Sequence, residues 1–149
     1  MMDELMVRKI ENGSVIDHII AGEGMKVINI LKLNPNESAI LLMNVPSKKL
    51  GRKDIVKIEN RRLTTNEVNK ISIISPTATL NIIENRNVKE KKKVVLPNVL
   101  ENIIKCPNTN CITNSNEPIK TKFIVEKKEP VKLRCFYCER IFSSDEIII

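Results

Sequence analysis

Two short-spaced cysteine pairs constrain this chain more than any other feature. Cys106-Pro-Asn-Thr-Asn-Cys111 is a C-x4-C pair, Cys135-Phe-Tyr-Cys138 is a C-x2-C pair, and 23 residues separate them. Loops this short bring four thiolates to one tetrahedral ion with little chain strain, and their backbone amides can point at the sulfurs and offset the negative charge. The spacing predicts one structural zinc ion held by Cys106, Cys111, Cys135 and Cys138. Iron in a rubredoxin-like site is the other metal that fits this donor set. Thiol redox chemistry at the second pair would leave the first without a role. The stretch between the pairs is long enough for a β-hairpin, with Lys122–Lys127 and Val131–Arg134 as strands flanking Lys128-Glu129-Pro130.

A unit organised by that ion needs it. Domains of about 50 residues have thin cores and commonly depend on a metal or disulfides. Its N-terminal limit is set by the charge run Lys89-Glu90-Lys91-Lys92-Lys93 and by Pro97, which together disfavour a continuing packed element. Two domains are expected, residues 1–97 and 98–149.

The first of these reads as α+β. Aromatic residues are scarce in the chain, three Phe, one Tyr and no Trp, so its core must come from Ile, Val and Leu, and Ile and Val suit strands. Met6–Ile10 and Val15–Ile20 read as strands of a hairpin around the turn cluster Glu11-Asn12-Gly13-Ser14. Met25 to Leu33 carries apolar residues at helical spacing and stops at Asn34-Pro35-Asn36. Ala39–Val45 is an apolar run expected as a buried strand, Pro46 and Gly51 bracket a loop, and Ile55–Ile58 is a further strand. Thr64-Thr65-Asn66-Glu67 has the capping-box pattern and opens a helix ending before Pro76. Thr77–Ile83 follows as a strand, and Val88, Val94 and Val95 mark one more. Strand, helix, strand, strand, helix, strand is the ferredoxin-like order, an antiparallel sheet with two helices. The second unit reads as a small antiparallel β zinc domain.

No apolar stretch approaches the roughly 20 residues a membrane helix needs, and the acidic residues of MMDELMVRK do not suit a signal peptide. The expected location is cytoplasmic, with no membrane partner. There, four cysteines favour metal over disulfides. The net charge of +7 favours anionic partners. Lys89, Lys91, Lys92, Lys93, Lys53 and Lys57 are phosphate candidates, although charge runs are commonly just solvated, and no glycine-rich phosphate loop surrounds them. His18 is the only histidine, and no nucleophile–base pair is evident once the thiols are assigned to metal. Catalysis is not expected.

Taken in order, several segments resemble one family. They are Gly13-Ser14-Val15-Ile16-Asp17-His18-Ile19, Pro46-Ser47, Gly51-Arg52-Lys53-Asp54, Ile58-Glu59-Asn60, Pro76-Thr77-Ala78-Thr79 with Asn81, and the two cysteine loops through Ile112 and Glu139. The chain resembles the regulatory chain of aspartate carbamoyltransferase over nearly its whole length. The resemblance implies a non-catalytic subunit acting in pyrimidine biosynthesis, whose N-terminal domain binds ATP, CTP and UTP as allosteric effectors and pairs with itself as a homodimer. Its zinc domain would dock on trimers of the catalytic chain, which alone transfers the carbamoyl group to aspartate. The implied effector site falls on Asp17, His18, Lys53, Lys57, Asn81, Ile83, Val88 and Lys91, with backbone near Arg8 and Ile10. Two departures add positive charge there: Arg86 where the family often has an aromatic, and Arg8 where an acidic residue is common. The implied docking surface is Asn108, Asn110, Tyr137, Glu139 and Arg140.

Two other readings compete. A zinc-ribbon nucleic-acid binder would explain the basic balance, but it needs base-stacking platforms or a clustered basic face. Residues 102–149 carry eight Lys/Arg against six Asp/Glu and few aromatics, so no nucleic-acid partner is expected. A free-standing small-molecule sensor would leave the zinc unit idle.

Overall fold

The computed structural model describes residues 10–147 and divides into two compact units, Met1–Val94 and Val95–Ile149. The first is built from β1 (Gly13–Ile20), α1 (Gly24–Leu31), β2 (Ala39–Ser47), β3 (Gly51–Glu59), α2 (Thr65–Ile74), β4 (Thr79–Glu84) and β5 (Asn87–Lys93). The strands lie in the order β2-β3-β1-β4-β5, and every neighbouring pair is antiparallel. Without β5 this is the ferredoxin-like arrangement expected from the element order.

Alternation along the strands sorts side chains to two faces. Leu41, Val56, Ile16 and Leu80 stand opposite one another across four strands and form the helix-side face. α1 packs on β2 and β3 and beside α2, burying Val27, Ile30 and Leu31, while α2 buries Ile71 and Ile73. The capping box at α2 is formed: Thr64 Oγ1 accepts from the Glu67 amide at 3.2 Å, and Glu67 Oε1 accepts from the Thr64 amide at 2.9 Å. The opposite face carries Val15, Asp17, Ile55, Lys57, Asn81 and Lys91, and no helix contributes to that list.

Two expectations need correcting, and a third falls mainly outside the described residues. The strands are longer than expected: β3 begins at Gly51 rather than Ile55, and β2 runs through Pro46 to Ser47, so the loop bracketed by Pro46 and Gly51 shrinks to a short turn. Proline is tolerated there because, among the described residues, β2 is an edge strand with one side unpaired. The charge run is no boundary loop; it is β5 itself, exposed along its whole length. The expected strand Met6–Ile10 falls mainly outside the described residues, as does Arg8; Ile10 itself is buried but not in a strand.

The second unit is a four-stranded antiparallel sheet, β6 (Val99–Glu101), β7 (Lys122–Lys128), β8 (Val131–Cys135) and β9 (Ile141–Ser143), in sequential order. The expected hairpin is β7–β8. Leu100, Ile104, Phe123, Val131, Leu133 and Phe142 form its small core.

Candidate functional sites

The cysteine loops converge at one end of the second sheet. Cys106 and Cys111 lie in the segment after β6, Cys135 ends β8, and Cys138 sits in the turn before β9. The four Sγ atoms all lie within 4.8 Å of one another. Cys106 and Cys138 are 3.8 Å apart, and Cys111 and Cys135 are 3.7 Å apart. A tetrahedron with metal–sulfur bonds of about 2.3 Å has edges of about 3.8 Å, so the spacing suits a four-thiolate ion and is far too long for disulfides at about 2.05 Å. Backbone amides do aim at sulfur: those of Tyr137 and Cys138 at Cys135, that of Asn108 at Cys106, and that of Arg140 at Cys138. Burial pushes the Cys106 and Cys135 thiols up. At Cys138 burial acts in the same direction, but the Arg140 amide, the Asn108 side chain and hydrogen bonds with Cys135 and Cys106 together outweigh it and bring the thiol to about 7.

Two supports were not legible in the spacing. The Thr113 hydroxyl donates to Cys111 Sγ at 3.2 Å. The Asn114 side-chain amide donates to the carbonyls of Cys106 at 2.9 Å and Asn108 at 2.7 Å, closing the first loop. Beside the two loops Ile112, Phe136, Tyr137 and Ile141 are exposed. Phe136 and Tyr137 meet edge to face at 5.2 Å, and the Lys122 ammonium lies 4.6 Å from the Phe136 ring centre. Asn108 is half-buried, whereas Asn110, Glu139 and Arg140 are exposed.

The first unit holds a cavity of about 440 Å³ on the face of its sheet that carries Val15 and Lys57. Register explains its walls. Val15 faces both Lys57 and Asn81, and Asn81 faces Lys91, so β1, β3, β4 and β5 each send a side chain to one place. Asp17, Ile55, Ile83 and Val88 extend the lining along the strands, and Ile10 and Arg86 complete it. Thus Ile10, Asp17, Lys57, Asn81, Ile83, Arg86, Val88 and Lys91, drawn from separate segments, share one cavity. Val15 and Ile55 join them unanticipated, although both stand two residues from a named one and so lie on the same strand face.

Lys53 and His18 are not part of that lining, but both adjoin it. Lys53 Nζ pairs with Asp17 Oδ1 at 2.9 Å. His18 sits at φ +55 in the bulge of β1, with Nδ1 3.0 Å from Thr79 Oγ1. Burial holds the His18 imidazole below its ordinary pKa of 6.5; Asp17 opposes this, and Lys53, Lys49 and Lys91 add to it. Lys49, on the β2–β3 turn, is a nearby cation that no sequence signal marked. Arg86 is exposed and turned towards Glu11, with a 3.1 Å ion pair.

Residues 5–95 match the family model described as aspartate carbamoyltransferase regulatory chain, allosteric domain, and residues 98–148 match the one for the same chain's metal binding domain. The chain is 57% identical to the aspartate carbamoyltransferase regulatory chain of Pyrococcus horikoshii over 150 residues, covering 99% of this chain and 98% of that protein. It is 50% identical to the protein of that name from Methanothermobacter thermautotrophicus, over 97% of this chain and 93% of that one. For the one from Methanosphaera stadtmanae the figures are 48%, 97% and 95%. Both matched models describe parts of a regulatory chain, so this is a non-catalytic subunit. Allosteric and metal-binding halves therefore account for almost every residue, and the chain belongs to the aspartate carbamoyltransferase regulatory chain family.

Proposed function

We propose that this chain brings allosteric control by nucleoside triphosphates to an aspartate carbamoyltransferase catalytic chain, and so to pyrimidine biosynthesis. One observation carries the reading: eight residues implied by the resemblance line a single cavity on one face of one sheet. The chemistry of that cavity suits a nucleotide. Asp17 offers acceptors for ribose hydroxyls, Lys57 and Asn81 offer polar groups for ribose or base, and Lys91 with neighbouring Lys53 and His18 faces the triphosphate. Calorimetry with ATP, CTP and UTP on the full chain tests it; saturable binding of at least one supports the reading, and no heat for any of them defeats it. Arg86 has no fixed ring plane with which to select a base, so ATP and CTP affinities are expected within about tenfold of each other. A hundredfold preference would refute that part.

The four thiolates are proposed to hold one zinc ion per chain, which fixes Asn108, Asn110, Tyr137, Glu139 and Arg140 for docking on catalytic trimers. Exposed Phe136, Tyr137, Ile112 and Ile141 beside the loops support a docking role, since exposed apolar groups in one area mark interaction surfaces. Homodimerisation is assigned to the N-terminal unit. Its edge strand β2 supports this: Ala39–Leu42 is apolar and half-buried, without the lysines that blunt β5 at the other edge. Light scattering on the isolated full chain is expected to give twice the chain mass; a monomer at micromolar concentration would overturn the assignment. Among the described residues no helix is long and apolar enough to cross a membrane. A cytoplasmic location is part of the proposal.

A further inference from the structure

On β3, Lys53 and Asp54 point to opposite faces of the sheet. Lys53 reaches Asp17 at the edge of the cavity. Asp54 points to the helix side and is fully buried. The strand ladder breaks on both sides of this pair. β1 shifts register between Ile16 and Ile19, and β2 between Leu42 and Val45. The Asp54 carboxylate accepts from three backbone amides around it, one of them in the β2 irregularity. Its Oδ1 accepts from the Asn44 amide at 2.8 Å, and its Oδ2 from the amides of Gly22 at 3.0 Å and Gly24 at 2.9 Å. One side chain therefore ties together the β2 bulge, the β1–α1 turn, the start of α1 and β3. Amide bonds to an ionised carboxylate are about twice as strong as neutral ones, and they are hardest to replace where water is excluded.

We propose that Asp54 is a positioning residue of the effector cavity: by anchoring the β2 bulge and the β1–α1 turn to β3, it holds Lys53 in place against Asp17 and beside His18. The proposal rests on the reading of that cavity as a triphosphate site. Asp54 acts through Lys53 and touches no ligand itself. A carboxylate that served stability alone would have no such dependence on Lys53.

The test is a double-mutant cycle on the full chain, read as ATP affinity by calorimetry. Asp54→Asn puts a donor where two amides also donate. Gly24→Ala leaves every charge in place but brings a Cβ to 2.8 Å from Asp54 Oδ2 and 2.6 Å from Leu41 Cδ1, at a backbone position outside the left-handed region. It therefore displaces the carboxylate by steric means. Each variant is expected to weaken ATP about tenfold in the native background, and by no more than about twofold when added to Lys53→Gln. Equal losses with and without Lys53, or full affinity in both variants, would overturn the proposal. If Asp54→Asn loses its native circular dichroism, the Gly24→Ala cycle decides alone. Loss of fold in Gly24→Ala as well would make Asp54 a stability residue and overturn the proposal. Absence of ATP binding by the native chain would bring down the cavity reading and this inference together, whereas native binding with additive losses brings down the inference only.

Discussion

Removing the metal is expected to unfold the C-terminal unit and release the chain from catalytic trimers, while the five-stranded sheet stays folded. The reason is the size of the terms. The apolar core of that unit is little more than Leu100, Ile104, Phe123, Val131, Leu133 and Phe142. A small core of this kind supplies roughly 3–5 kcal/mol at most. Structural zinc contributes about 10–16 kcal/mol in small zinc domains, and that binding energy is folding energy. Metal loss therefore exceeds anything the remaining contacts can offset. Cys106, Cys111 and Cys135 are buried in loops that without the ion no longer share a crosslink. Metal analysis should return one zinc per chain. Chelation, or Cys135→Ser, should erase the slow amide exchange of β7 and β8 but not that of β1 and β3. Gel filtration with catalytic trimers should then show no complex. A chelated chain that still binds trimers with unchanged affinity would sink the idea that the ion organises the docking loops.

How far this could be read from residues alone depends on the range of the interaction. The cysteine pairs are local, so their spacing carried the thiol cluster, and the Thr64–Glu67 capping box was equally local. Asn114 was invisible because nothing in its spacing says that its amide bridges two carbonyls of the preceding loop. The charge run shows the limit more sharply. Lys89, Lys91, Lys92 and Lys93 look alike in sequence, yet only Lys91 lines the cavity. What separates it is its register opposite Asn81, after an irregularity between Ile82 and Ile83. A one-residue slip would turn Lys92 to that face instead. Composition cannot supply register, and here the resemblance did. Pro46 and Gly51 signal a loop, and the chain does turn between them, but Pro46 fits within edge strand β2 and Gly51 already opens β3, paired with Ser47. The Asp54 anchor became visible only when the β2 bulge and the β1–α1 turn could be placed beside β3.

Triphosphate binding is expected to strengthen as pH falls towards 6, in contrast to the stability of the free chain. In the free chain the His18 pKa lies below 6.5, first through burial and then through Lys53, Lys49 and Lys91, with Asp17 opposing them. The ring is therefore largely neutral at neutral pH. A triphosphate brings several negative charges to the same cations, and opposite charge favours the imidazolium. The complex then binds more protons than the free chain. By linkage, affinity rises as pH falls between the depressed pKa of the free chain and the raised pKa of the complex, by up to about tenfold per pH unit for one proton. Stability runs the other way. A depressed folded-state pKa means that the unfolded chain takes the proton first, so the contribution of neutral His18 to stability is present above about 6.5 and is lost as pH falls through the folded-state value. Protonation of the terminal phosphate near pH 6 would weaken binding and blur the profile. The informative quantity is therefore the difference between the native chain and His18→Asn. ATP titrations from about pH 8 to about pH 6, in buffers of different ionisation enthalpy, should show proton uptake in the native chain and little in His18→Asn. Lys91→Gln should weaken ATP about tenfold. It should also reduce the uptake, because one cation that holds the free imidazole neutral is gone. Parallel pH profiles for the native chain and His18→Asn would remove His18 from the phosphate environment and leave the lysines to carry the charge alone.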